Sequence, residues 1–483
     1  MTRLCDSLRQ KLPGRTIVEP GDVDYDDIRA TWNIKTSFEP RAIVQVESSD
    51  DVSTAIRIAR DNGITQINGR GGGHSFEGQS LGAGNPDAFI IDVTKINDIT
   101  IDRTTKVATV GAGALLGSLA FKAFENGQLM APHGMGVTVG VGGHSQAGGY
   151  GFYTRTYGTF VDHILQYEVV TADGEVVIAN ADENSDLHWA LRGSGTGSFG
   201  IITQLKVQLR DAPRHVAMFS VAYPLDESFV ENYANIQTYM MRAPLSVNPM
   251  VAMWKGELEL AGTVLTDTEE DLHQVLTDLE SSFTSAVRAD FRKVSYLDTV
   301  VSMGLEQASA PYYPNIDSLV REKNQNLRWM KIKAGFMPGE LPLPAIRELA
   351  EVVKVQNPIG TRIQVLGLNP DIEVDRNRNS IKEQNCPLLM GMSVWIEAGG
   401  QGQKEIERAT NEGESRVPWL DRAYEIYYPY VSGGYIGDDD LDEGKHGRNL
   451  HESYFGENLP RLQQVKRKYD PSNLFHNPLS VPI

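Results

Sequence analysis

Gly69-Arg70-Gly71-Gly72-Gly73-His74-Ser75 is the stretch on which the reading of this chain turns. Four of its seven residues are glycine, and they lead into one histidine. It follows a short run, Ile64–Ile67, which itself follows a helical pattern over Asp50–Asp61. Glycines clustered there let backbone N–H groups turn onto an anion such as a pyrophosphate, where a Cβ would block the approach. A histidine beside such a cradle can reach whatever the phosphates carry. Taken alone, the loop reads equally as a tight turn with an incidental histidine.

Two further glycine-rich stretches change that balance. Val137–Tyr153 reads Val-Thr-Val-Gly-Val-Gly-Gly-His-Ser-Gln-Ala-Gly-Gly-Tyr-Gly-Phe-Tyr, and Arg192–Ile202 reads Arg-Gly-Ser-Gly-Thr-Gly-Ser-Phe-Gly-Ile-Ile. Glycine is entropically costly in ordered structure, so three such loops in the first 200 or so residues point to one large ligand lying across them.

The 483 residues are too many for one ordinary domain, and 41% hydrophobic content indicates a normal globular core. No run of about 18 apolar residues occurs, so no membrane span is expected. A net charge of −18 argues against a nucleic-acid partner, whose phosphates need a basic surface. From about Tyr25 to Arg210, strand and helix patterns alternate; from Val216 the runs become longer and alternating, as in an antiparallel sheet. These are Val216–Tyr223, Val251–Val264, Met330–Phe336, Arg362–Leu368 and Leu388–Ile396, separated by helical stretches such as Thr268–Ser282 and Pro344–Lys354. Met1–Leu8 lacks an apolar core and does not read as a signal peptide. With two cysteines, Cys5 and Cys386, and no Asn-X-Ser/Thr sequon, a cytoplasmic location is expected; a secreted one would require a removed signal.

The motifs resemble those of berberine-bridge-enzyme-like FAD-linked oxidoreductases of the vanillyl-alcohol-oxidase superfamily. The matching residues are Arg70-Gly-Gly-Gly-His74-Ser75, Pro132-His-Gly134, Val139-Gly-Val-Gly-Gly-His144, Gly148-Gly-Tyr-Gly151, Asp186–Gly193, Tyr454-Phe-Gly-Glu-Asn458 and Lys468–Phe475. The resemblance implies an α+β, two-domain fold of the PCMH type. A split α/β FAD domain (residues 1–212 and 441–483) would flank a substrate domain (213–440) built on a large antiparallel sheet with helices on one face.

For the cofactor, the resemblance implies FAD held through the ring of His74 to its 8α-methyl carbon. Around it would stand Arg70, Gly71, Gly72, Gly73, Ser75, Gly136, Thr138, Val139, Gly140, Gly143, His144, Gly148, Gly149, Gly200 and Ile202. Many relatives carry a second, cysteinyl link two residues before the Thr-Val-Gly matched by Thr138–Gly140. Here that position is Gly136, so a single histidyl link is expected. Val139 occupies the position that in relatives faces the oxygen-reactive carbon of the flavin, where a small side chain goes with oxidases. O2 as acceptor and hydrogen peroxide as product follow.

Oxidising a CH–OH group also needs a base beside the flavin, commonly a tyrosine in this family. Sugar-oxidising relatives carry Tyr-X-Asn-Tyr, for which the match here is Tyr435-Ile-Gly-Asp438. Either Asp438 is the base or one of Tyr427, Tyr428 and Tyr430 fills the place, the tyrosine cluster being preferred. Tyr150 carries over as a residue near the flavin, and Trp254, Trp329 or Trp395 could stack a sugar. A mono- or oligosaccharide is the first expectation for substrate, since Ala131–Gly134 and Gly148–Phe152 look most like glucooligosaccharide oxidases; the runner-up is an alcohol of secondary metabolism. The protein is expected to be a monomer and to hold no metal.

Readings from other classes fare worse. Gly111-Ala-Gly-Ala-Leu-Leu-Gly117 imitates a dinucleotide fingerprint but has the wrong spacing and no acidic strand end about 20 residues on, which disfavours an NAD enzyme. A catalytically dead carbohydrate-binding protein on the same fold is the remaining alternative. His446 and His451 lack a third ligand in pattern, so metal catalysis has no support.

Overall fold

The computed structural model describes residues 2–254, 256–304, 327–355, 360–400 and 402–483. The fold is α+β. Near the N-terminus a four-stranded sheet has the order Thr16–Val18, Ala42–Gln45, Phe89–Asp92, Ile67–Arg70, with the last three strands parallel. Helix Ser49–Asp61 connects two of them. Its start is fixed by Ser48, whose Oγ accepts the Asp51 N–H at 3.1 Å, a helix cap. A five-stranded antiparallel sheet follows, in the order Ile99–Asp102, Val107–Gly111, Ile201–Gln208, Ile164–Val170, Val176–Asn180.

The C-terminal residues pack into the same core as these two sheets. Leu462, Val465, Phe475, Leu479 and Val481 are buried with Ile56, Ile91, Val110 and Trp189. Backbone ties accompany the burial: Ile67 N–H donates to Leu474 O at 2.9 Å, and Asn68 Nδ2 to His476 O at 3.2 Å. Ile436 already belongs to this core.

Between these segments, seven strands of the described residues form one antiparallel sheet. Its order is Arg288–Val294, His215–Pro224, Glu257–Thr266, Val247–Trp254, Thr361–Gly367, Leu388–Glu397, Arg328–Met337. The expected single run Val251–Val264 is in fact two hairpin-paired strands, Val247–Trp254 and Glu257–Thr266. Gly256, at φ +81°, allows the reversal.

Helices Phe229–Arg242, Glu269–Ser282, Leu343–Val355 and Gln403–Tyr427 cover one face of the sheet and close a second core around Ile363, Val365, Met390 and Met392. Period-2 alternation decides what the other face carries. Along Thr361–Gly367, Ile363 and Val365 turn towards the helices, while Arg362, Gln364 and Leu366 turn to the opposite side. No helix among the described residues is long and apolar enough to cross a membrane.

Candidate active site

The glycine loop after strand Ile67–Arg70 packs backbone against backbone with the second glycine stretch. A Cβ on Gly72 would overlap the amide nitrogen and Cα of Gly140, and one on Gly140 would overlap Gly72. Gly73 adopts a left-handed φ of +67°. Sequence-distant loops are thereby joined into one wall. Within it His74 Nε2 lies 3.0 Å from Thr138 Oγ1, and the imidazole lies 5.0 Å from the Trp32 ring, centroid to centroid.

This wall and the face of the large sheet opposite those four helices enclose a cleft of ≈ 1560 Å³. Common small-molecule pockets span roughly 300–1,000 Å³, so there is room for a dinucleotide and a substrate together. The sheet face is graded in rows set by strand register. Met250, Leu366 and Leu389 align across three strands, and Tyr150, Phe336 and Tyr435 pack with them into an apolar floor. One row out, Gln364 pairs with Gly391, where a Cβ would come within 4.0 Å of Asp438 Oδ2. Beyond it, Arg362 pairs with Ser393, and Trp254 and Trp395 stand at the edges. Trp254 Nε1 donates to Glu259 Oε2 at 2.9 Å, while Arg328 stacks over Trp395 at 4.4 Å.

Of the residues expected around the cofactor, Gly71, Gly72, Gly73, His74, Ser75, Gly136, Thr138, Val139, Gly140, Gly143 and His144 all line the cleft. His144 is also engaged internally: its Nε2 accepts the Gly134 N–H at 3.0 Å, and burial pushes its pKa down to about 3, so it is neutral. The remaining five sit behind the wall. The Arg70 guanidinium is buried against the carbonyls of Ile28 and Ala30 and faces Asp92 at 3.7 Å. Gly148 and Gly149 provide left-handed turns, and the Gly149 N–H donates to the Tyr435 hydroxyl at 3.2 Å. At Gly200 a Cβ would strike Val169, and Ile202 is packed in the first core.

The tyrosines divide sharply. Tyr150 and Tyr435 line the cleft, edge-to-face at 5.0 Å. Tyr427, Tyr428 and Tyr430 do not, which corrects the preference for them as base. Tyr427 closes the long helix inside the second core, with its hydroxyl 2.9 Å from that of Tyr233. Tyr428 packs on His446 and beneath Arg448, and Tyr430 is 36% exposed on the outer surface. Trp329 is likewise no sugar platform, being buried in the helix-covered core and against Gly413.

Asp438 and Asp439 stand instead among the carboxyls that line the cleft. Burial pushes Asp438 up to about 7, and its side chain makes no hydrogen bond or ion pair among the described residues. Asp439 is also held at about 7, by burial first and by the nearby Glu77 and Asp438 charges, against a hydrogen bond from Gln79 that lowers it. Tyr435 is raised above the ordinary phenol value by burial and by Asp438, so near neutrality it stays protonated. Sequence reading passed over Asp439, Gln79 and Gln364. The signal available for the first was its place in the acidic run Asp438–Asp440, directly after Tyr435-Ile-Gly437.

Polar atoms along the cleft fit a dinucleotide. Thr196 Oγ1, Asn477 Nδ2 and Ser80 Oγ are buried without a hydrogen-bond partner among the described residues, and all three residues line the cleft. Buried polar atoms are rarely left so, and a ligand rich in phosphate, ribose and amide groups would satisfy them. The backbone contact between Gly72 and Gly140 leaves the amides of both loops at the same wall, as the pyrophosphate expectation requires.

Residues 40–180 match an FAD binding domain family, and residues 434–482 match a family described as berberine and berberine like. The chain is similar to berberine bridge enzyme-like 3 of Arabidopsis thaliana, 29% identical over 91% of this chain and 83% of that one. It is 27% identical to the tetrahydroberberine oxidase of Berberis wilsoniae, over 92% and 86%. Among solved structures it resembles Physcomitrella patens BBE-like 1, with TM-score 0.85, 25% identity, and 100% and 99% of the two chains covered. A chitooligosaccharide oxidase shares the fold, with TM-score 0.82, 22% identity and 99% of each chain covered. Two matched segments at opposite ends of the sequence, relatives aligned over most of their length and the shared PCMH-type fold support a berberine-bridge-enzyme-like, FAD-dependent oxidoreductase.

Proposed function

We propose that the protein is an oxidase of a CH–OH group in a mono- or oligosaccharide, with FAD on a single histidyl link at His74 and Asp438 as the base. Asp438 carries the reading. It is the carboxylate that stands in the cleft beside the apolar floor, with no competing partner among the described residues and an affinity for protons matched to neutral pH. FAD, when bound, supplies the acceptor for two electrons and passes them to O2 to give hydrogen peroxide.

Each residue then has a defined task. Asp438 accepts the hydroxyl proton as the C–H hydride departs, so the product leaves as a neutral carbonyl. Gln364 and Ser393 face the substrate with amide and hydroxyl groups, which suits a polyol. Trp254 and Trp395 offer apolar faces farther out for a second sugar ring. Val139 stands beside the attachment loop with a short side chain, consistent with oxygen reaching the cofactor. The chitooligosaccharide oxidase with the same fold is in keeping with a saccharide substrate.

Acid precipitation followed by a peroxide-release screen tests the proposal. The pellet should stay yellow and yield one flavin peptide containing His74, and peroxide should appear with sugars. Colour lost to the supernatant, or a second flavin peptide, contradicts the single link. Peroxide only with non-sugar alcohols removes the saccharide assignment.

A further inference from the structure

Asp439 and Ser75 are 364 positions apart in sequence but are joined by one intermediary side chain. Gln79 donates its amide to Asp439 Oδ2 and accepts the Ser75 hydroxyl on Oε1, while Ser75 Oγ accepts the Gln79 backbone N–H at 2.8 Å. Ser75 follows His74, and Asp439 follows Asp438. The chain of bonds therefore runs between the neighbours of the two residues that the oxidase reading makes chemically central.

A second, parallel tie stands beside it. Glu77 Oε1 accepts from Lys331 Nζ at 2.6 Å, and the same ammonium is paired with Asp440. All three of those residues are buried. Two consecutive residues after Asp438 are thus fastened to two residues shortly after His74. The second tie is an ion pair deep in the protein, whereas the first lines the cleft.

We propose that Asp439 is a positioning residue. Through Gln79 and Ser75 it holds the His74 loop and the Asp438 turn in one register, so that flavin attachment and placement of the base depend on each other. This rests on the reading of His74 and Asp438 given above. Gln79 is suited to the task because it offers a donor at one tip atom and an acceptor at the other, which Leu or Met could not do. Bond-forming atoms tolerate little misplacement, about 1 Å costing up to roughly 10²-fold, so a loosened loop is expected to slow attachment without unfolding the protein.

The test compares Gln79→Leu, Ser75→Ala, Asp439→Leu and Asp439→Asn, each purified with its bound FAD. The readout is the fraction of flavin that stays with acid-precipitated protein. Gln79→Leu and Asp439→Leu should bind FAD yet retain it in acid several-fold less than wild type. Asp439→Asn keeps a carbonyl acceptor for Gln79 and should recover most of the attachment, a rescue that general destabilisation does not produce. Ser75→Ala removes one hydroxyl and serves if a leucine variant fails to fold. Wild-type attachment in both Gln79→Leu and Ser75→Ala overturns the inference, as does an asparagine variant no better than leucine. A wild type that itself releases all flavin in acid overturns the histidyl link instead. The tie is then judged on flavin reduction by substrate, where about ten- to hundredfold losses in the leucine variants with recovery in Asp439→Asn sustain it, and equal rates overturn it.

Discussion

The ideal Cβ position on Gly136 lies 2.8 Å from Cγ2 of Val139. No real Cβ sits that close to a methyl carbon, so the valine occupies space that any other residue at 136 would claim. The glycine and the valine are one packing unit on the cleft wall, and Gly136 also permits the conformation of the candidate oxygen gate.

Gly136→Ala should therefore displace the Val139 side chain and slow reoxidation of the reduced enzyme by O2, while reduction by substrate changes little. Adding Val139→Ala should restore the rate, because the smaller side chain vacates the contested space. Stopped-flow reoxidation of the two single variants and the double variant gives the coupling directly. Additive effects of the two changes would show that residues 136 and 139 act separately.

His74→Ala should fold, bind FAD and release it on acid precipitation. Thr138→Val should attach flavin more slowly than wild type, because the hydroxyl 3.0 Å from His74 Nε2 fixes the ring. Flavin fluorescence on a denaturing gel, followed over hours after expression, reports both. Prompt and complete attachment in Thr138→Val would remove the orienting role.

Asp438 carries a stability cost with a definite sign. Its carboxyl ionises near 3.8 in the unfolded chain and near 7 when folded. Between those values the unfolded chain has already lost the proton, so folding stability falls as pH rises across that window and the cost is complete above it. Asp438→Asn should raise the thermal midpoint at pH 8 by more than it does at pH 4. An equal shift at both pH values would show that the carboxyl is not perturbed by burial.

The sequence made some of this legible and hid the rest for identifiable reasons. Glycine loops announce themselves because backbone contact such as Gly72 against Gly140 excludes every other residue, and the loop over 71–75 was readable on that ground. Strand patterns located most of the large sheet, but Val251–Val264 passed as one run because Gly256 stood as the main break in an otherwise strand-like stretch. The tyrosine cluster misled because functional habit outweighed periodicity. Leu420, Ala423, Tyr424 and Tyr427 recur at helical spacing, and the structure buries that stripe at the end of helix Gln403–Tyr427. The tie between Ser75 and Asp439 has no local signature at all, since it depends on strands far apart in sequence closing the cleft.

The identity of the base is the central claim, and anaerobic flavin reduction as a function of pH tests it most directly. Wild type should lose rate as pH falls through about 7, because Asp438 must be ionised to accept the proton. Asp438→Asn should abolish that limb and lower the limiting rate by roughly 10²–10⁴-fold, the range for loss of a general base. Tyr428→Phe and Tyr430→Phe should leave both limb and rate in place. A profile that persists in Asp438→Asn, or one that vanishes with a tyrosine at 427–430, would contradict the account.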